Sequence, residues 1–237
     1  MNHRILGAFL CLAGTLGACS SNSTNETVDM AAAADQSTAN PDSATGADLA
    51  TGTSLSFFIT SRKGSGDLGG IAGADAICQQ LATAVGAGGK KWAAYLSLAA
   101  INGMQAVNAR DRIGSGPWYN AKQVKIANDV ADLHQQTMGI SATTGVDETG
   151  ATVPVANPNE HDILTGSTAQ GMVNGTATCN NWTSANTTDI ATVGHYNRAG
   201  GGAAPTSWNS AHNTPGCSAA QLNSVGGAGR FYCFATN

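Results

Sequence analysis

Arg230-Phe231-Tyr232-Cys233-Phe234-Ala235 puts Phe231 and Cys233 on one face of a strand and Tyr232 and Phe234 on the other. At the far end of the same region, Leu55 to Thr60 is β-branched and aromatic and reads as a second strand. Two terminal strands can pair, so that the domain closes on itself. Between them, Ala74, Ile77, Cys78, Leu81 and Val85 recur at helical spacing, predicting a helix over 73–85 that stops at Gly86. Trp92 to Ser97 alternates and reads as a half-buried strand. Residues 109–118, with Gly114, Gly116 and Pro117, read as a loop. A short helix is expected over 124–133, with Ile126, Val130 and Leu133 on one face. Residues 139–160 read as a surface loop, Ile163 to Gly166 as a short strand, and 184–216 as mostly irregular. Few helices and few long strands imply an α+β fold with short mixed strands, flanking helices and long loops.

Four cysteines lie in this region: Cys78, Cys179, Cys217 and Cys233. They allow three disulfide pairings. The nested scheme, Cys78–Cys233 with Cys179–Cys217, is favoured. Its outer bridge staples the early helix to the last strand, and its inner bridge pins a Gly- and Ser-rich excursion. A four-thiolate zinc site wants close C-x-x-C pairs, and the chain has none.

The other two cysteines fall at the start. A positive start with Arg4 precedes an apolar run, Ile5 to Leu16, too short to span a bilayer. It ends in Leu16-Gly17-Ala18-Cys19. This resembles the bacterial lipoprotein signal, which implies removal of residues 1–18 and lipidation of Cys19. Several acyl chains anchor a protein stably where one does not. Ser20 resembles the outer-membrane default. Residues 19–53 carry no aromatic residue, Lys or Arg and five acids, so they bury too little apolar area to order and read as a flexible tether. The domain proper is 54–237. It holds ten Lys or Arg against ten Asp or Glu, and this neutrality argues against nucleic acid.

Several stretches carry a family resemblance. Gly69-Gly70-Ile71-Ala72-Gly73-Ala74-Asp75-Ala76-Ile77-Cys78 precedes Trp92-Ala93-Ala94-Tyr95-Leu96-Ser97. Then come Leu164-Thr165-Gly166-Ser167, Cys179-Asn180-Asn181-Trp182-Thr183 and Phe231-Tyr232-Cys233-Phe234. In this order they resemble the leptospiral endostatin-like outer-membrane lipoproteins, which are related in fold to endostatin and, more distantly, to C-type-lectin-like domains. The resemblance implies helices flanking a mixed sheet, the nested disulfides, and binding of host matrix glycoproteins or complement regulators in some members.

The lectin-type calcium site is not expected. Ser167 to Thr178 lacks Asp, Glu and Pro, and Trp208-Asn209-Ser210 lacks the carboxylate of Trp-Asn-Asp. A divergent set of Asn157, Glu160 and Asp162 is the alternative. His134, His161, His195 and His212 have no ligand-like spacing, so they read as scattered loop histidines and no metal or other cofactor is assigned. No G-x-S-x-G elbow appears, and the adjacent pair Asp147-Glu148 does not set up acid–base geometry, so no enzyme is expected. Arg110, Arg112, Lys122 and Lys125 form a ridge that Asp111, Asp129 and Asp132 largely cancel.

What remains is recognition. Trp118, Tyr119, Tyr196 and Trp208 sit among Gly, Asn and Ser and are the candidate ligand-binding residues, although for Trp208, as for Trp182, core packing against the inner disulfide is the favoured reading. The expected protein is a non-enzymatic outer-membrane lipoprotein, bound to the membrane through its N-terminal lipid. Its expected partner is an extracellular protein or glycan, the alternative being a structural envelope role.

Overall fold

The computed structural model describes residues 55–101, 103–135 and 139–236. The expected signal, Cys19 and the tether lie outside the described residues. The elements in chain order are β1 (Phe57–Ile59), α1 (Gly70–Ala84), β2 (Trp92–Ala94), β3 (Trp118–Tyr119), β4 (Lys125–Ala127), α2 (Val130–Leu133), β5 (Asp162–Leu164), β6 (Thr192–His195), β7 (His212–Asn213) and β8 (Gly227–Ala235). A short helix, Ala219–Asn223, precedes β8. No helix among the described residues is long and apolar enough to cross a membrane.

All nine residues of β8 are buried, because strands pair along both its edges and side chains cover both its faces. β1 runs antiparallel to it with Phe57 opposite Phe234 and Ile59 opposite Tyr232. β2 pairs antiparallel with Ala93 opposite Phe234. Since β1 and β2 both pair Cys233 and Phe234, they occupy opposite edges. Near its start β8 runs parallel to β5, and β6 and β7 extend the sheet outward from β5. The two terminal strands therefore do pair.

The strand period divides the core in two. Phe58, Trp92, Ala94, Leu96, Leu164, Phe231 and Cys233 face one way, where Ala74, Cys78 and Ala82 of α1 meet them. These three lie four residues apart, one above another on a single helix face. Phe57, Ile59, Tyr95, Ile163, Tyr232 and Phe234 face the other way. Irregular chain together with β3, β4 and α2 covers this second face through Ile113, Trp118, Ile126, Leu133, Ile140, Val153, Tyr196 and Trp208.

Two expectations are corrected here. Residues 124–133 are not one helix. Lys125–Ala127 pairs with Trp118–Tyr119 as β4 on β3, and the helix starts only after Asp129, whose carboxylate caps it by accepting from Asp132 N at 2.8 Å. Residues 139–160 are not a surface loop throughout, since Ile140, Val146 and Val153 are buried. Residues 184–216 are mostly irregular, as expected, apart from the short strands β6 and β7. At Gly194 in β6, a Cβ would fall 1.9 Å from the Trp208 carbonyl oxygen. Glycine lets the returning chain lie directly on the strand.

Both nested disulfides are present, Cys78–Cys233 and Cys179–Cys217. The inner one holds an uncommon turn: Cys179, Asn180, Asn181 and Trp182 all have φ between 47° and 66°. Left-handed backbone costs a non-glycine residue about 1–2 kcal/mol. Long-range contacts offset that cost. Asn181 accepts from Ala99 N at 2.8 Å and donates to Ala99 O at 3.1 Å, and Trp182 Nε1 donates to Ser97 O at 2.9 Å.

Candidate functional site

The structure withdraws three of the four aromatic candidates from the surface. Trp118, Tyr196 and Trp208 are all at most 1 % exposed. Each is drawn inside by its polar atom or its ring. Trp118 Nε1 donates to Ala235 O at 3.0 Å. The Tyr196 hydroxyl donates to Val153 O, and burial pushes its pKa up to about 12. Trp208 packs on Tyr95 and Tyr232 at centroid distances of 4.9 and 5.3 Å. Enclosed side chains cannot touch an external ligand, so these three are core residues; Tyr119 remains partly exposed.

The charged candidates are occupied as well. Glu160 receives Arg230 Nε at 2.8 Å and Nη2 at 2.6 Å, and also Lys63 Nζ. Burial alone would raise its pKa, but the hydrogen bonds and charges of Lys63 and Arg230 outweigh burial and hold it below the ordinary carboxylate value. Asn157, Glu160 and Asp162 therefore do not assemble as a calcium set, because Glu160 and Asp162 turn to different partners. Glu148 accepts from Ser61 N at 3.0 Å and from its hydroxyl. Arg112 is spent on Asp75 and Ala94 O, and Arg110 on Gln170 O, which breaks up the basic ridge.

Two features stand out. One is an open cleft of about 970 Å³. Its walls are Asn157, Pro158 and Asn159 on one side, Asn223 and Ser224 on another, and the backbone of Gly226 to Ala228. Buried Glu160 and exposed Lys63 also line it. Side-chain amides, a hydroxyl and main-chain groups alternate with Pro158, Ala219 and Val225 in the lining, so a few polar groups that could orient a ligand sit on a partly apolar surface.

The second is a cluster of three histidines, His161, His195 and His212, around one aspartate. Their sequence spacing hid it, and they are not scattered solvent-facing residues: His161 and His195 are buried, and His212 is partly so. β5 pairs with β6 so that Asp162 lies opposite His195, and β6 pairs with β7 so that Val193 lies opposite His212. His161 precedes Asp162 directly. Asp162 Oδ1 lies 3.2 Å from His161 Nε2 and 3.1 Å from His195 Nε2, and Oδ2 lies 3.3 Å from His212 Nε2. The rings of His161 and His195 stack at 4.3 Å. Burial alone would raise the Asp162 pKa, yet the surrounding imidazoles bring it below the usual value. Burial lowers the pKa of His161, whereas the Asp162 carboxylate raises that of His212. The one local signal in the sequence was a His-Asp pair at the entrance of a strand.

His134 is elsewhere, its Nε2 2.7 Å from the Tyr95 hydroxyl. A scan against protein-family models matches none, and a search of the curated proteins finds no relative.

Proposed function

We propose that this chain is an exported, lipid-anchored binding protein whose endostatin-like or C-type-lectin-like domain holds a polar ligand, a glycan or an extracellular protein segment, without chemical turnover. The cleft between Asn157–Glu160 and Asn223–Ala228 is the observation that carries this reading. Within it, Glu160 is held by Arg230 and Lys63. Its rim residues Asn157, Asn159, Asn223 and Ser224 are exposed and free to meet a partner without disturbing the core. Anchoring through Cys19 follows from the lipoprotein-like start.

The test is a glycan and matrix-protein array probed with the purified protein. Asn223→Arg and Ser224→Arg fill the mouth of the cleft, and each should weaken saturable binding at least ~10-fold while leaving the melting temperature within about 2 °C, as expected of surface changes. An array without saturable binding sinks the adhesive reading and leaves the structural envelope role. Separately, Cys19→Ala should move the protein from the membrane fraction to the soluble one in cell fractionation; retention in the membrane would show another anchor.

A further inference from the structure

The histidine cluster presents a conflict that hydrogen bonding does not resolve. His195 Nδ1 lies 2.9 Å from Pro205 O, and His212 Nδ1 lies 3.1 Å from Asn213 O. A carbonyl only accepts, so Nδ1 carries the proton in both rings. His161 Nδ1 meets Asn197 Oδ1 at 3.1 Å in the same way. In a neutral imidazole the other nitrogen is then a bare lone pair. Three Nε2 lone pairs therefore point at a carboxylate, acceptor against acceptor. Both oxygens of Asp162 and Nε2 of His195 are buried without a well-aligned hydrogen-bond partner. Protonating His212 would relieve one contact. Relieving the other two that way would stack two imidazolium rings 4.3 Å apart in the interior, and like charges at that distance repel.

A cation between the donors removes the conflict. Tetrahedral zinc holds His nitrogen at about 2.0–2.1 Å and carboxylate oxygen at about 2.0–2.2 Å, which sets neighbouring donors about 3.3 Å apart. The observed 3.1 and 3.2 Å edges from Oδ1 to His195 and His161 match that spacing. One donor atom from each of His161, Asp162 and His195 lies within 4.8 Å of the others. The Nδ1 contacts to Pro205 O and Asn197 Oδ1 are the outer supports that metal-bound imidazoles characteristically keep. Two imidazoles and one carboxylate suit zinc and its transition-metal neighbours, not calcium or magnesium, which want six or more oxygens or several waters. The surrounding backbone leaves little room. A Cβ on Gly200 would fall 2.8 Å from Cε1 of both His161 and His195, and one on Gly226 would fall 3.1 Å from His161 Nε2.

We infer that His161, Asp162 and His195 bind one zinc-class divalent ion, with His212 steadying the second carboxylate oxygen. The site joins β5, β6 and β7 at their edge, and Gly226 separates it from the cleft. It stands apart from the proposed ligand binding and can be tested without it.

The test is zinc titration by calorimetry on untagged full-length protein, stripped with chelator and exchanged into metal-free buffer. The expected result is one zinc per chain with a Kd of ~1 μM or tighter. Asp162→Asn and His161→Gln should each weaken binding by more than ~100-fold, His212→Ala by ~10–100-fold as for a supporting residue, and His134→Gln not at all. Calcium and magnesium should give no saturable heat. Asp162 is enclosed, so its variant needs intact disulfides and a native circular dichroism spectrum to count. His161→Gln, nearer the surface, and the visible absorption of the cobalt-loaded wild-type protein decide the matter if Asp162→Asn does not fold. Tetrahedral cobalt bands support the site. Absence of saturable zinc uptake overturns it, as does undiminished binding in His161→Gln, which would place the metal at another histidine.

Discussion

Glu160→Ala should destabilise the domain by about 3–5 kcal/mol, the usual cost of orphaning one partner of a buried ion pair. Arg230 is 6 % exposed, and its remaining partner after the change is the Thr60 carbonyl. For a domain of this size the melting temperature should fall by about 6–20 °C, read by thermal denaturation. Replacing both members, Glu160→Met with Arg230→Met, should recover much of the loss, since no charge is then stranded. If Glu160→Ala melts within about 2 °C of wild type, the pair is not a structural element. The same pair gives stability an acid limb. The folded-state pKa of Glu160 lies below its ordinary value, so its contribution is complete above that ordinary value and is lost as pH falls through the folded pKa. The unfolding free energy should therefore drop on acidification below about pH 4.5, and the Glu160→Met/Arg230→Met protein should show a shallower drop.

Cys78→Ser with Cys233→Ser should be as costly. The bridge closes 155 residues, and in the chain-entropy picture its loss is worth about 5 kcal/mol, or about 10–20 °C in melting temperature. Opening the inner bridge, which spans 38 residues, is worth about 4 kcal/mol by the same reasoning. The two should differ in character. Losing Cys179–Cys217 also frees the left-handed turn, so the damage should centre on Ala99 and Trp182, visible as faster amide exchange there. Losing the outer bridge should speed exchange across β1, β2 and β8 together. Equal, uniform effects of both would contradict this division.

The parts of the fold that were legible in the sequence are those with strong periodicity or covalent logic. β8 sends Phe231 and Cys233 to one face and Tyr232 and Phe234 to the other, α1 repeats Ala74, Cys78 and Ala82, and the four cysteines pair as nested bridges. What escaped has a common physical cause. β6 is four residues, Thr192-Val193-Gly194-His195, and it is wholly buried although two of its side chains are polar and one is absent. Neither propensity nor alternation marks such a strand; the neighbouring chain does. The same applies to the cluster, whose members are neighbours through antiparallel register and not through spacing. The aromatic residues misled for the opposite reason. Trp118 and Tyr196 sit among loop-forming residues, yet that chain lies over the sheet and both join the second core.

The pairing of β1 with β8 beside the Cys78–Cys233 bond has a mechanical meaning. β1 and β8 are antiparallel, so a pull on the two ends of the domain peels them apart from the frayed end inward. The peeling halts at the bridge. Only the chain before Cys78 and after Cys233 can pay out, which at about 3.6 Å per residue is about 90 Å. The chain between the two cysteines carries no tension while the bond holds. Under load, such a domain would give way by a short, fixed length and keep its histidine cluster, which lies between the two cysteines, outside the line of force.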